Sequence, residues 1–393
     1  MSFYTSSIKS KEIEPTYHTN NRTEFRLGSQ DRPMYLSSMR LCNIGVTTNS
    51  NTELNRGAGV YSIIKSIQIM DDNVSLENFH NFNQYVGFKQ QNKTNDSNLS
   101  QAGKLVGNQM GFANDDYVVS PLNAGGNIGT SENGTTTGWL SLRDYMSFLS
   151  SSNEIPTSVF KDLRIVIEYE TDIGKIAPSG PANNIASIVR PFLVVDEVVN
   201  QDLKSQREKM YQGISYTPIE SSQVYWNAIT ADSSKSFTLT GFNNKTINKL
   251  LLVKAPTYAI SQAYGSLSSV NFTKQRSNLL VNGSQLLPQD IDTTAKELSS
   301  VSELYGDCNI PYPYSSVGSA TPETIVNSSA NRVGWQSYVA FDVSQFSREL
   351  VLNMTRGYNA NGYYSQAINL FVFADVLKAI QMNSDGSYNV VYV

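Results

Sequence analysis

The chain has 393 residues, a formal net charge of −4 and only 16% charged residues, against roughly 25% in ordinary soluble proteins. That length exceeds what one hydrophobic core usually supports, so two domains are expected. The acidic balance argues against a dedicated nucleic-acid binder, which carries a basic patch or stripe, and the two His and two Cys are too scattered for a structural zinc site, whose four ligands come at short spacings.

Residues 1 to 25 read as an N-terminal arm. Lys9, Lys11 and Arg22 are offset by Glu12, Glu14 and Glu24, and His18 lies in a segment without regular pattern. No apolar h-region opens the chain, and no apolar run approaches the ~18 residues of a membrane span. Synthesis inside a reducing cell, without secretion, is the expectation. Val60 to Met70 is Ile-rich and strand-like, with Asp71 and Asp72 as turn residues after it. Ser75 reads as the N-cap of a helix carrying Leu76, Phe79, His80 and Val86 and stopping at Gly87. A long polar connection, 89 to 137, follows; its sequons at Asn92, Asn95 and Asn98 are expected by chance in so Asn- and Ser-rich a chain.

After Trp139 comes "DLRIVIEYETD" (162 to 172), in which Glu168 and Glu170 sit two apart. Two carboxylates could serve a glycosidase as acid and base; the alternative is the wet side of a strand, answered by Arg164 or a neighbouring subunit's cation. Residues 200 to 212, rich in charge, read as a short linker helix at mid-chain. Beyond it, "KSFTLTGF" alternates and "NKLLLVKAP" is apolar up to Pro256. Asp292 is placed to cap a helix running to Gly306. A second long connection, 307 to 333, precedes Trp335. The acidic clusters at Asp71-Asp72, Asp115-Asp116 and Asp290-Asp292 read as turns and caps before they read as calcium loops. There is no G-x-S-x-G elbow, and the glycines around Lys104 lack the phosphate-loop spacing. No catalytic residue, cofactor site or metal site is assigned.

The two halves repeat each other. "GWLSL", "KDLRIVIEYETD" and "RPFLVVDEVV" close the first; "GWQSY", "RELVLNMTRGYN" and "INLFVFADVL" close the second. Trp139 answers Trp335. Leu163, Ile165 and Ile167 answer Leu350, Leu352 and Met354 in phase, and Phe192 with its three successors answers Leu370-Phe371-Val372-Phe373. Thr355 and Gly357 stand opposite Glu168 and Glu170, so the repeat keeps the apolar face and discards the acids. This pattern predicts an all-β chain of two tandem eight-stranded jelly-roll sandwiches with long loops, spanning 26 to 199 and 213 to 393.

Those same segments, with "FLSSSNEIPTSVFKDLRIVIEYETD" and the closing "INLFVFADVLKAIQMNSDGSYNVVYV", resemble the double jelly-roll major capsid proteins of polinton-like viruses and virophage-like small DNA viruses of protists. The resemblance implies a non-enzymatic structural subunit. It implies homotrimeric capsomers of pseudo-sixfold outline tiling an icosahedral virion shell. It also implies contacts with neighbouring capsomers and an arm on the inner surface that ties to neighbours, to minor or penton proteins or to an internal membrane; the presence of such a membrane and the host receptor stay unassigned. Two other readings stand beside it: a lectin-like or host-attachment sandwich, using Tyr-rich loops such as "YPYSSVG" at 312 to 318, and a paralogous minor capsid protein.

Overall fold

Alternating apolar residues on strands need a second layer to bury against, and both halves of the chain supply one. The computed structural model describes residues 8–27, 34–48, 52–53, 58–93, 127–128, 134–151, 159–176, 185–198, 213–257, 269, 274–306, 338–358 and 365–393. The linker helix expected at 200–212, Trp335, Cys308, Asp115-Asp116, the 312–318 loop and most of both long connections lie outside these residues.

The first unit contains β1 (Ile8–Ile13), β2 (Tyr17–His18), β3 (Arg22–Arg26), β4 (Met34–Thr48), β5 (Thr52–Glu53), β6 (Ile64–Asp71), β7 (Val74–His80), β8 (Asn127–Ile128), β9 (Gly134–Ser141), β10 (Leu163–Tyr169), β11 (Ile185–Ile188) and β12 (Phe192–Val198). One sheet runs β1-β12-β4 with β9 on the far side of β4; the other runs β2-β3-β10-β6-β7. The second unit contains β14 (Ile219–Trp226), β15 (Ser233–Thr238), β16 (Lys245–Pro256), β17 (Arg276–Val281), β18 (Ser284–Gln285), β19 (Tyr338–Ser347), β20 (Leu350–Arg356) and β21 (Ile368–Val376). Its sheets run β14-β21-β16-β19 and β15-β20-β17-β18. With β1, β3, β4, β6, β7, β9, β10 and β12 set against β14 to β21 in chain order, the two strand orders are the same. Eight strands recur, all in antiparallel pairing.

The two units also match in which residues of β10 and β20 face inward. Leu163, Ile165 and Ile167 are fully buried in β10, and Leu350, Leu352 and Met354 occupy the equivalent strand β20 with the same inward face. Trp139 falls on β9.

Four expectations are corrected. The stretch read as an arm is already sandwich from Ile8 onward: β1 pairs along β12, β3 pairs along β10, and Phe25 and Thr23 are fully buried. Charge balance said nothing about pairing partners some 140 to 190 residues away. The helix expected from Ser75 begins instead at Phe82 and runs to Lys93, because Leu76 and Phe79 belong to β7. Asn81, at φ 55°, turns the chain between the two. The helix Thr294–Tyr305 is capped by Thr293, whose side chain accepts the Lys296 N–H; Asp292 pairs with Lys296 Nζ at 2.8 Å instead. Gly306 ends it with φ 86°, as expected.

Fourthly, the closing strand leaves the second sandwich. β22 (Lys378–Met382) and β23 (Tyr388–Tyr392) form a three-stranded sheet with β13 (Gly213–Tyr216). Tyr216 and Ile380 of that sheet belong to the core of the first unit. Gly213 is required there: at φ 105° a Cβ would stand 2.1 Å from the Ile380 carbonyl oxygen.

Candidate functional site: the seam between the two units

The sheet β14-β21-β16-β19 is apolar on both faces. Leu250, Leu252, Val339, Phe341, Leu370 and Val372 fill the core of the second sandwich. Their neighbours Leu251, Val253, Ala340, Phe371 and Phe373 point the other way, into a cluster continuous with the first unit's core. Burial on both faces is why "LLLV" (250 to 253) and "LFVFA" (370 to 374) are unbroken apolar runs. The first unit meets this face with β7 and the helix Phe82–Lys93. Phe79 and Tyr85 lie edge-on to Phe373 at 6.3 and 5.3 Å between centroids, and Phe88 lies edge-on to Tyr338 at 4.8 Å. Such pairs are worth about 0.5–1.5 kcal/mol beyond the area they bury.

Polar ties rim the seam. Asn81 Nδ2 donates to Ser221 Oγ, which donates to the His80 carbonyl; Tyr216 OH donates to the Leu76 carbonyl, and Tyr388 OH to Asp71 Oδ2 at 2.6 Å. Asp71 and Asp72 do form the turn expected of them, between β6 and β7. Burial raises the Asp375 carboxyl to about 6, although Lys249 stands 3.4 Å away. Burial likewise raises Glu77 to about 7, against the N–H groups of Ser147 and Phe148 that it caps.

Two markers move in this light. Phe192 is only half-buried; Leu193 and Val195 are the inward residues of β12. In β21 the inward residues are Leu370 and Val372, while Phe371 faces the seam. Matching Leu193 to Phe371 therefore slips the register by one residue, and each one-residue slip exchanges the faces of a strand.

The carboxylate pair separates. Glu168 accepts from Ser66 at the β10 surface. Glu170 lies just beyond the strand, buried, and accepts from Asn83 Nδ2, the N–H groups of Thr171 and Asp172, and Lys175 Nζ at 3.0 Å. Burial would raise its carboxyl, but Lys175 and these donors outweigh it and hold it below the usual range. Lys175, not Arg164, answers it; Arg164 pairs with Glu24 and Asp162. A carboxylate so engaged has no lone pair left for a sugar.

Neither histidine sits as expected. His18 lies on β2, its Nδ1 against Thr23 Oγ1 at 2.8 Å and its Nε2 against the Ile188 carbonyl; burial lowers its pKa. His80 ends β7, with Nε2 on Asn78. Among the described residues, no three His, Cys, Asp or Glu side chains are grouped to hold a metal ion. A pocket of about 360 Å³ opens on the outer face of β15-β20-β17-β18. It is lined by Ser234, Ser236, Arg276, Asn278, Asn353 and Thr355 among others, with no histidine or cysteine.

No protein-family model matches the sequence, and no curated protein does. The fold is matched widely. It is similar to PBCV-1 VP54, as fitted into a reconstruction of the virophage Sputnik, with TM-score 0.66 over 98% of this chain and 97% of that one at 8% identity. The Faustovirus major capsid protein gives 0.61 over 96% and 90% at 9% identity. The mavirus major capsid protein gives 0.56 over 98% and 90% at 10% identity. The chain is a double jelly roll. At such identities the common property is the fold, and it extends over nearly the whole of each chain. In this double jelly roll, the seam is the candidate feature that the sequence pattern did not reveal; its signal was the loss of alternation in β16 and β21.

Proposed function

We propose that this double jelly roll is a viral major capsid protein, a structural subunit without catalysis that assembles as a homotrimer. The carrying observation is the seam. The second unit's sheet β14-β21-β16-β19 has its outer face covered by the first unit. The first unit's equivalent sheet presents Tyr35, Cys42, Phe192 and Val194, all half-buried, on its outer face. Repeating the seam between chains would cover that face with the second unit of a neighbour, and three chains would close a ring of six sandwiches. The likeness in fold to major capsid proteins of Faustovirus and mavirus supports the same reading.

On this proposal the protein resides in the virion shell, is made and assembled inside the host cell, and contacts neighbouring capsomers and minor or penton proteins. Light scattering on the purified chain tests it. The expected mass is three times 43.5 kDa, with triangular or hexagonal particles in negative stain; a stable monomer with no higher assembly would overturn it.

A further inference from the structure

Within the second sandwich, three side chains that belong to no surface come together. Lys254 on β16 is 0% exposed, Gln275, directly before β17, is 5% exposed, and Glu297 in the first turn of the helix Thr294–Tyr305 is 3% exposed. Lys254 Nζ stands 2.7 Å from Gln275 Oε1 and 3.1 Å from Glu297 Oε1. Gln275 Nε2 donates to that same Glu297 oxygen. The Lys254 N–H is itself fixed on Ser269 Oγ at 3.0 Å. An amine, a carboxamide and a carboxylate are thus buried together, and the carboxylate touches both the amine and the nitrogen that an amide exchange would expel.

We propose that this triad is a self-modification site, at which Lys254 and Gln275 form an intramolecular isopeptide bond with loss of ammonia. Glu297 first takes a proton from the Lys254 ammonium, leaving a neutral amine and a neutral acid. The amine lone pair attacks Gln275 Cδ, and the carbonyl π electrons move onto Oε1. Glu297 then delivers its proton to Nε2; the Cδ–Nε2 bond breaks as the oxyanion collapses, and ammonia leaves. The surplus proton on the new amide nitrogen passes to Glu297, or departs with ammonia as ammonium. One C–N bond forms and one breaks, nothing is oxidised or reduced, and no co-reactant enters.

Three physical circumstances favour the step. Burial lowers the lysine pKa, opposed by Glu297, which shifts the balance toward the neutral amine the step requires. Holding nucleophile and carbonyl in contact replaces a bimolecular encounter with a positioned one, and a proton carrier touching both amine and leaving group is general acid–base catalysis in place. The product also removes a buried cation, whose desolvation is costly even when paired. Escape of ammonia makes the exchange irreversible. The bond would tie β16 to the start of β17 and close the chain between them.

Mass spectrometry on the full chain, isolated as its native assembly and then denatured, decides the matter. The expected intact mass is one ammonia below the sequence mass. Trypsin is expected to leave Lys254 uncut and carrying the dipeptide Gln275-Arg276 as a branch. Glu297→Gln is expected to restore the full sequence mass and tryptic cleavage at Lys254. Wild-type protein at full sequence mass would overturn the proposal. So would an ammonia loss that maps elsewhere while Lys254 is cleaved. Because the deciding measurement is made on unaltered protein, a Glu297→Gln chain that misfolds does not weaken it.

Discussion

Truncating Phe373 to Ala tests whether the seam binds the two sandwiches into one cooperative body. The ring is fully buried and lies edge-on to both Phe79 and Tyr85. Removing it forfeits the transfer energy of the phenyl group and leaves a cavity between two sheets that cannot easily collapse. A buried Phe→Ala change of this type costs about 3–5 kcal/mol. Part of that cost is specific to the aromatic pairing. A double-mutant cycle combining Phe373→Leu with Tyr85→Leu is therefore expected to show a coupling of about 0.5–1.5 kcal/mol across the units. The assay is urea unfolding followed by far-UV circular dichroism at fixed protein concentration, since assembly adds to apparent stability. One transition is expected for the parent chain, moved to lower urea by Phe373→Ala. Two independent transitions in the parent, or a loss below about 1 kcal/mol in the mutant, would refute the reasoning.

Two further outcomes follow from the carboxylates. Glu170→Gln places a donor among groups that all donate and is expected to cost about 2 kcal/mol, whereas Glu168→Gln, near the surface, should stay within about 0.5 kcal/mol; equal costs in thermal and urea unfolding would contradict the geometry. Glu77 titrates at about 7 in the folded chain against 4.5 when unconstrained, so the folded state binds its proton more tightly. Its stabilising effect is complete below about 4.5 and gone above about 7, worth about 3 kcal/mol. Unfolding free energy should accordingly fall with rising pH across that window, and Glu77→Gln should flatten the slope; a slope unchanged in the mutant would assign the effect elsewhere. Glu170, held low, acts in the opposite sense, losing its contribution as pH falls below its unfolded value.

What could be read from the chain follows the physics of each strand. Leu163, Ile165 and Ile167, like Leu350, Leu352 and Met354, alternate with more exposed residues such as Arg164, Glu168, Asn353 and Thr355, so a period of two survived in the sequence and carried the duplication. β21 is dry on both faces, so it offers no phase, and its match to β12 slipped by one. The helix was placed too early because Leu76 and Phe79 of β7 happen to continue the spacing of Phe82, Val86 and Phe88. A register irregularity between Ile69 and Met70, opposite β7, adds to the loss of alternation there. Lys254, Gln275 and Glu297 come together only through tertiary packing, which no local pattern announces.

The return of β22 and β23 to the first unit makes that unit depend on sequence far beyond its own boundary. Tyr388 packs on Phe160 at 5.4 Å and donates to Asp71, 317 residues away along the chain. Contacts of such long sequence separation are costly to close and slow to form. Part of the first sandwich's wall is therefore built from chain on the far side of the second, which couples the folding of the two.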